Sequence, residues 1–260
     1  EGSCNVGGIM GEACTNAVSY TGNGVINSTI TAGKNADTNE SNAGGIGGYL
    51  ELLNNFSNNY VKDTKIFAEG SCAGGLIGAS MGGHYFRNVY AATVEAQDSA
   101  AGGLIGTMTG YQKNNSPDYA QVKLYESYSA SKVKAADYGA GFIGMYTCSP
   151  DTQLYALNEE NTYGLLSMGT VSSGDHSDLF INTDENRSGL SWSGGYLRAY
   201  AGAALERGGT SKTADAIYEY SWDQAKPSGA GGTAEAGNQL LKEILTVTGK
   251  NLMDKRPYTN

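Results

Sequence analysis

Apolar and polar positions along this chain recur in short bursts tied to pairs of small residues. Gly7-Gly8-Ile9-Met10-Gly11, Gly44-Gly45-Ile46-Gly47-Gly48, Gly74-Gly75-Leu76-Ile77-Gly78, Gly102-Gly103-Leu104-Ile105-Gly106 and Ala140-Gly141-Phe142-Ile143-Gly144 share one pattern. The first residues of successive copies lie 37, 30, 28 and 38 positions apart. A period of this length, with one small structural unit per copy, predicts stacked repeats rather than a closed globular fold.

A second burst follows each anchor. Val25 to Ala32, Tyr60 to Ala68, Val89 to Ala96 and Ser127 to Ala135 open with aromatic or β-branched residues and close on a β-branched residue, a spacer and Ala. Each is short enough for one strand. Ala68, Ala96 and Ala135 stand five or six residues before the next anchor. The repeat therefore reads as two short strands joined by a variable loop, then a fixed turn.

Glycine suits such a turn for two reasons: it tolerates positive φ, and it carries no Cβ where neighbouring coils stack. Gly7, Gly8, Gly44, Gly45, Gly74, Gly75, Gly102, Gly103 and Gly141 are thus read as structural. Ile, Leu, Met and Phe between the anchors supply interior rows, with coils about 4.8 Å apart. A nucleotide-binding loop would need G-x-G-x-x-G between a strand and a helix, and would not recur five times.

These copies, above all Ala73-Gly74-Gly75-Leu76-Ile77-Gly78 and Ala101-Gly102-Gly103-Leu104-Ile105-Gly106 with a segment like Asn88 to Ala96 in each repeat, resemble the GLUG motif of bacterial surface proteins. The resemblance covers residues 5 to about 145. It implies a right-handed parallel β-helix in a secreted or wall-attached protein, an adhesin or the non-catalytic region of a large immunoglobulin A peptidase. It carries no shared catalytic residues. The expected fold is all-β: a β-solenoid of about five to six coils over residues 1–199, then a partly helical C-terminal cap over 200–260.

The sixth coil is degenerate. Leu179-Phe180-Ile181-Asn182 falls 38 residues after Gly141-Phe142-Ile143-Gly144, and Tyr163 to Ser173 resembles a longer second burst. Asn tolerates positive φ, so Asn182 stands in for a corner glycine. In the cap, Leu240, Leu241, Ile244 and Leu245 give one apolar helical face, with Glu235 near its start and Gly249 as its stop. Residues 214–220 form another short helix or a strand, and 227–232 a loop.

Thirty-eight glycines and four prolines in a chain 40% hydrophobic suit many corners around a real core. A net charge of −9 with only 17 Lys and Arg leaves no basic stripe for nucleic acid. No apolar run reaches the ~18 residues that span a bilayer, so direct membrane insertion is not expected. The chain opens at Glu1 without a signal peptide, and we read it as a mature or excised fragment of an extracellular protein.

Cys4 and Cys72 sit two coils apart in this register, beyond the ~7 Å Cα limit for a disulfide. Cys14 and Cys148 are farther still, which leaves Cys4 with Cys14 as the one intramolecular pair that the coils readily permit. Free buried thiols are the alternative. Paired CxxC spacing is absent and His84 and His176 are isolated, so neither a metal nor any other cofactor is expected.

Eighteen of 25 aromatics are Tyr, a residue whose flat face and polar tip suit sugar rings or a protein partner. Tyr60, Tyr90 and Tyr128 hold motif positions and are read as packing residues. Tyr85, Phe86, Tyr111, Tyr119 and Tyr125 fall in loops that differ between copies, where a rigid scaffold commonly carries specificity, and are the candidate ligand contacts. Asp98 and Asp137 recur four residues before Gly102 and Gly141, but without a partner His, Arg or Lys they read as solvated turn residues. The function expected is a non-enzymatic adhesin or spacer module engaging a host surface protein or glycan. Two alternatives stand beside it: a carbohydrate-binding module of a polysaccharide-degrading system, and the stalk of a large secreted peptidase. A linear tyrosine row on one face would favour the glycan reading, and a bland face with an appended catalytic domain would favour the stalk.

Overall fold

The computed structural model describes residues 2–14, 19–51, 55–110, 122–125, 127–148, 162–163, 165–167, 169–178, 181–183, 199–201, 204–207 and 210–212. Regular structure among the described residues is all β, and the strands pair almost entirely in parallel. Among the described residues, the first five passes each visit four strand positions in the same order, labelled here sheets I to IV.

Sheet I holds Gly2–Gly7, Ser41–Gly44, Cys72–Gly74, Ala100–Gly102, Tyr138–Ala140 and His176–Asp178. Its register sets Gly7 beside Gly44, Gly44 beside Gly74, Gly74 beside Gly102, and Gly102 beside Ala140. The anchors found in the sequence are therefore lateral neighbours in space. A two-residue turn leads into sheet II, a six-stranded sheet of Met10–Ala13, Gly47–Glu51, Ile77–Met81, Ile105–Gly110, Ile143–Cys148 and Ile181–Thr183. Across the turn, Ile9 N–H donates to the Ile46 carbonyl (3.0 Å), Ile46 to Leu76 (2.8 Å), Leu76 to Leu104 (2.9 Å) and Leu104 to Phe142 (2.9 Å).

Sheet III has five strands of two or three residues: Ser19–Thr21, Asn55–Ser57, His84–Phe86, Lys123–Tyr125 and Thr162–Tyr163. Sheet IV contains Tyr60–Ala68 and Val89–Ala96 as unbroken strands. The other passes contribute pairs: Gly24–Ile26 with Thr29–Gly33, Tyr128–Ser129 with Lys132–Ala135, Leu165–Ser167 with Thr170–Ser173, and Ala199–Ala201 with Ala204–Arg207. The second bursts of the sequence are these strands. Sheet III lies in the stretch expected to be a variable loop, because three-residue strands are too short for alternation to reveal them.

The anchoring glycines answer to crowding alone. Among the described residues, positive φ in glycine occurs at Gly22, Gly82 and Gly83, none of them an anchor. A Cβ on Gly44, Gly74 or Gly102 would overlap the carbonyl oxygen three residues on, and one on Gly45, Gly75 or Gly103 would overlap the carbonyl of its counterpart in the next pass. The third small residue presses on sheet I: a Cβ on Gly78 would stand 2.7 Å from Ala43 N, and one on Gly144 2.6 Å from Ala101 C. The positive-φ reading of the anchors is thus corrected.

Inside run continuous rows, including Ala43, Ala73 and Ala101 from sheet I and Ile46, Leu76, Leu104 and Phe142 at the turn, all with no exposed surface. Ile9 holds the same turn position yet is 48% exposed, because the first pass has a neighbour on one side only, whereas Ile26 is 41% exposed because alternation turns it outward beside buried Val25.

The degenerate sixth pass pairs Ile181 with Ile143, Val171 with Val133 and His176 with Tyr138, and the register in sheet II slips by one residue between Ile143 and Tyr146. Asn182 Nδ2 donates to the Gly139 carbonyl (2.6 Å). Parallel pairing runs on past residue 199, through Ala199–Ala201 and Ala204–Arg207, into the stretch assigned to the cap. Thr210–Lys212 then pairs antiparallel with Ala204–Arg207. The helix expected at 235–247 and the short helix or strand expected at 214–220 lie outside the described residues. Cys4, Cys14 and Cys72 are free thiols, so the Cys4–Cys14 bridge is not formed.

Candidate functional site

The corner between sheets III and IV places the outward residues of sheet III. Gly22, Asn58 and Arg87 occupy its first position with φ of 71°, 55° and 53°. Their N–H groups donate to Ser57, Phe86 and Tyr125 in the following pass. The next residue in each pass is Asn23, Asn59, Asn88 or Ser127. Asn59 Oδ1 accepts from Asn23 N–H (3.0 Å) and Nδ2 (3.1 Å), and Asn88 Oδ1 accepts from Asn59 N–H (3.1 Å) and Nδ2 (3.2 Å). Ser127 Oγ accepts from Asn88 N–H (3.2 Å) and donates to the Tyr125 carbonyl (2.9 Å). Asn59, Asn88 and Ser127 have no exposed surface. A buried side-chain ladder of this kind satisfies backbone groups that the bend removes from the sheet.

With the corner fixed, alternation divides each short strand between core and surface. The middle residues Tyr20, Phe56, Tyr85 and Leu124 are register neighbours and face inward. Tyr85 is completely buried, its ring 5.8 Å from that of Phe56. Its hydroxyl donates to the Gly82 carbonyl (2.8 Å) and lies 2.6 Å from Ser80 Oγ. Burial holds that hydroxyl above the usual tyrosine pKa, against the opposing hydrogen bond from Ser80. Tyr85 is therefore a core residue and not a loop contact, which corrects the sequence-based expectation. One residue of strand is enough to turn the ring inward.

The flanking residues lie on the opposite side of the strands, where His84 and Ser57 are buried. Phe86 and Tyr125 are register partners in adjacent passes, both half-buried, with ring centroids 5.2 Å apart and planes 31° apart. His84 meets the edge of Phe86 at 5.9 Å and pairs in register with Lys123. Of the five expected contacts, the structure brings Phe86 and Tyr125 together, though on strands rather than loops. Tyr111 and Tyr119 lie outside the described residues. Tyr163 continues the register beside Tyr125. The motif tyrosines are packing residues: Tyr90 sits in the core against Phe142, and Tyr60 and Tyr128 group with Val89.

Two signals escaped the sequence reading: the Asn ladder and the cations Arg87 and Lys123. Asn59 and Asn88 each stand directly before the opening residue of the second burst, so an alignment extended by one position would have displayed them.

The recurring acids meet different partners, and the expectation that Asp98 lacks one is corrected. Asp98 forms an ion pair with Lys34, and both side chains are well exposed. Asp137 binds through its backbone, donating to the Ser99 carbonyl (3.0 Å) and accepting from His176 N–H (2.8 Å). At the groove between sheets I and II, Cys72 Sγ lies 2.6 Å from Thr107 Oγ1, and burial pushes its thiol up to about 11. Cys14 is also raised to about 11, chiefly by its hydrogen bond to Glu12, which in turn lowers the Glu12 carboxyl. No group of three metal-ligating side chains occurs among the described residues. Comparison with protein-family models, with curated proteins and with solved structures found no match for this chain.

Proposed function

We propose that this chain is a right-handed parallel β-helix of the GLUG type, part of an extracellular, non-enzymatic binding module that engages a glycan or host surface protein through the outer face of sheet III. The observation that carries this reading is the pairing of Phe86 with Tyr125: two half-buried rings held one strand apart on a sheet. Parallel passes in a register that is continuous through sheet I, together with the glycine corners, support the β-helix, since each strand finds its partner about one period along the chain.

Two ring faces on adjacent strands favour sugars over a protein patch, because flat ring faces stack on pyranoses. The carbohydrate-binding module of a polysaccharide-degrading system is the second reading that this pair favours. A stalk in a larger peptidase would need no such pair. The test is a glycan array run beside immobilised host matrix proteins. Changing Phe86→Ala together with Tyr125→Ala removes stacking worth about 1 kcal/mol or more per ring, and is expected to weaken the array ligand at least about tenfold. Because both rings are half-buried, folding of the double variant is checked by circular dichroism, and affinity is compared at a temperature where it is fully folded. Unchanged affinity would overturn the assignment of this face.

A further inference from the structure

Most asparagine amides in this fold hold the fold together. Asn59 and Asn88 build the corner ladder, Asn42 donates to Asn5 across sheet I, and Asn35 ties its own loop. Among the described residues the fully exposed asparagines are Asn27 and Asn39, and no hydrogen bond engages the side-chain amide of either. Each opens an N-x-S/T triplet, Asn27-Ser28-Thr29 and Asn39-Glu40-Ser41, which is the acceptor pattern for N-linked glycans on surface loops. A third triplet, Asn55-Phe56-Ser57, has its asparagine Oδ1 buried.

Asn39 lies in a segment that the repeat does not need. From sheet IV to sheet I the later passes cross by residues 69–71, 97–99, 136–137 and 174–175, while the first takes the longer path of residues 34–40. The extra residues form a turn around Asn35, whose Oδ1 accepts from Asp37 N–H (2.8 Å) and Thr38 N–H (3.3 Å) and whose carbonyl accepts from Asn39 N–H (2.9 Å). Residues 36–40 are all exposed. Asn39 has a φ of 58°, which asparagine adopts more readily than most residues. Two residues before it stands Asp37, where a cationic group of a transferase can hold the carboxylate, and one class of oligosaccharyltransferase requires an acid at that place. Val25 and Leu53 occupy it before Asn27 and Asn55. The five-residue pattern recurs at Asp184 to Ser188, outside the described residues.

We infer that Asn39 is an acceptor for an N-linked glycan, with Asp37 and Ser41 as the residues that the transferase reads beside it. In the transfer, Asn39 Nδ2 loses a proton to a base of the transferase and bonds to the anomeric carbon of a sugar carried on a lipid pyrophosphate. The bond from that carbon to the phosphate oxygen breaks, and the lipid pyrophosphate leaves with the electron pair. Ser41 has no exposed surface in the folded chain and its Oγ accepts from Gly70 N–H (2.6 Å), so the triplet is open to the enzyme before the second pass docks. The inference rests on the export proposed above and is independent of the binding face on sheet III.

The test is glycopeptide mass spectrometry of this protein and of the variants Asn39→Asp and Asp37→Asn. Each is exported with an added leader from cells that hold an acid-requiring oligosaccharyltransferase and its lipid-linked donor, so that the enzyme meets the chain before it folds. A glycan is expected on Asn39, with Asn27 and Asn55 bare. It should vanish from this loop in Asn39→Asp, and fall at least about tenfold in Asp37→Asn with the loss of one charge-assisted contact. Asn39→Asp keeps a residue that tolerates positive φ and leaves Ser41 in place, so its thermal midpoint should match that of the unmodified protein. A bare Asn39, an equally modified Asn27, or undiminished transfer in Asp37→Asn would each overturn the inference. Export from the native cells is read separately by fractionation, so that failure of the extracellular reading leaves a different trace from failure of this site.

Discussion

At the corner between sheets I and II the chain carries Gly74-Gly75 and Gly102-Gly103, and at the corner between sheets III and IV it carries Asn59 and Asn88. Both join one pass to the next, by opposite means. The glycine corner works by having no side chain, so that the backbones of successive passes touch across it. The asparagine corner works through its side chains, which reach across to the neighbouring pass where the backbone cannot. The difference shows in how much variation each tolerates. The first corner keeps its five-residue pattern through five passes, with Ala140 the one departure at its first position. The second runs Asn23, Asn59, Asn88, Ser127, because a serine hydroxyl can also accept the bond from the preceding pass.

Breaking the glycine corner should have the largest effect. Gly75→Val places a branched side chain where even a Cβ overlaps the Gly103 carbonyl. A loss of at least about 3 kcal/mol is expected, read as a lowered urea midpoint by circular dichroism. Gly74→Ala should cost less, since Ala140 already stands at that place in the fifth pass. Equal losses from the two changes would contradict the division of roles within the pair.

The asparagine corner should break more gently. In Asn88→Ala, the Asn59 N–H and Nδ2 lose their shared acceptor and the Phe56 carbonyl loses its donor, all in the interior. A loss of about 2–3 kcal/mol follows from leaving buried polar groups unpaired. Asn88→Ser should restore part of it, because Ser127 fills the same place one pass on. A serine variant as unstable as alanine would show that the amide reach, and not the acceptor, holds this corner.

The smallest effect separates the two corners by pH. Cys72 packs beside the glycine side of the fold, and burial raises its thiol from 9.0 to about 11. A folded pKa above the unfolded value means that the protonated thiol favours the folded state. Its contribution is complete below about pH 9 and is lost as pH rises toward 11. Urea midpoints should therefore fall between pH 9 and 10 by an amount on the order of 1 kcal/mol, and Cys72→Ala should flatten that slope. An unchanged slope in the variant would assign the alkaline loss to the buried tyrosines, whose hydroxyls are also raised.

Glycine was legible because its absence of side chain leaves a fixed signature at each anchor, and Ile46, Leu76, Leu104 and Phe142 line up once those anchors are matched. The outward pair Phe86 and Tyr125 was legible as aromatic residues in varying segments, but Tyr85, beside Phe86, was not distinguishable from it. A strand of three residues carries too little pattern to fix its phase. That phase is decided by the asparagine ladder and by the bend at Arg87, both of which depend on residues about thirty to forty positions away in sequence.

The sequence by itself determined the repeat, its register at the glycine corner, the β character of the second bursts and the sixth pass through Ile181. These follow from local crowding and from apolar positions that recur at a fixed offset from the anchors. Only the tertiary structure decided that a third sheet fills the variable stretch, that the anchors avoid positive φ, and that Tyr85 points inward while Phe86 meets Tyr125. Each of those outcomes depends on contacts between passes. The face a short strand presents is set by what its neighbours hold in place, and no single repeat contains that information.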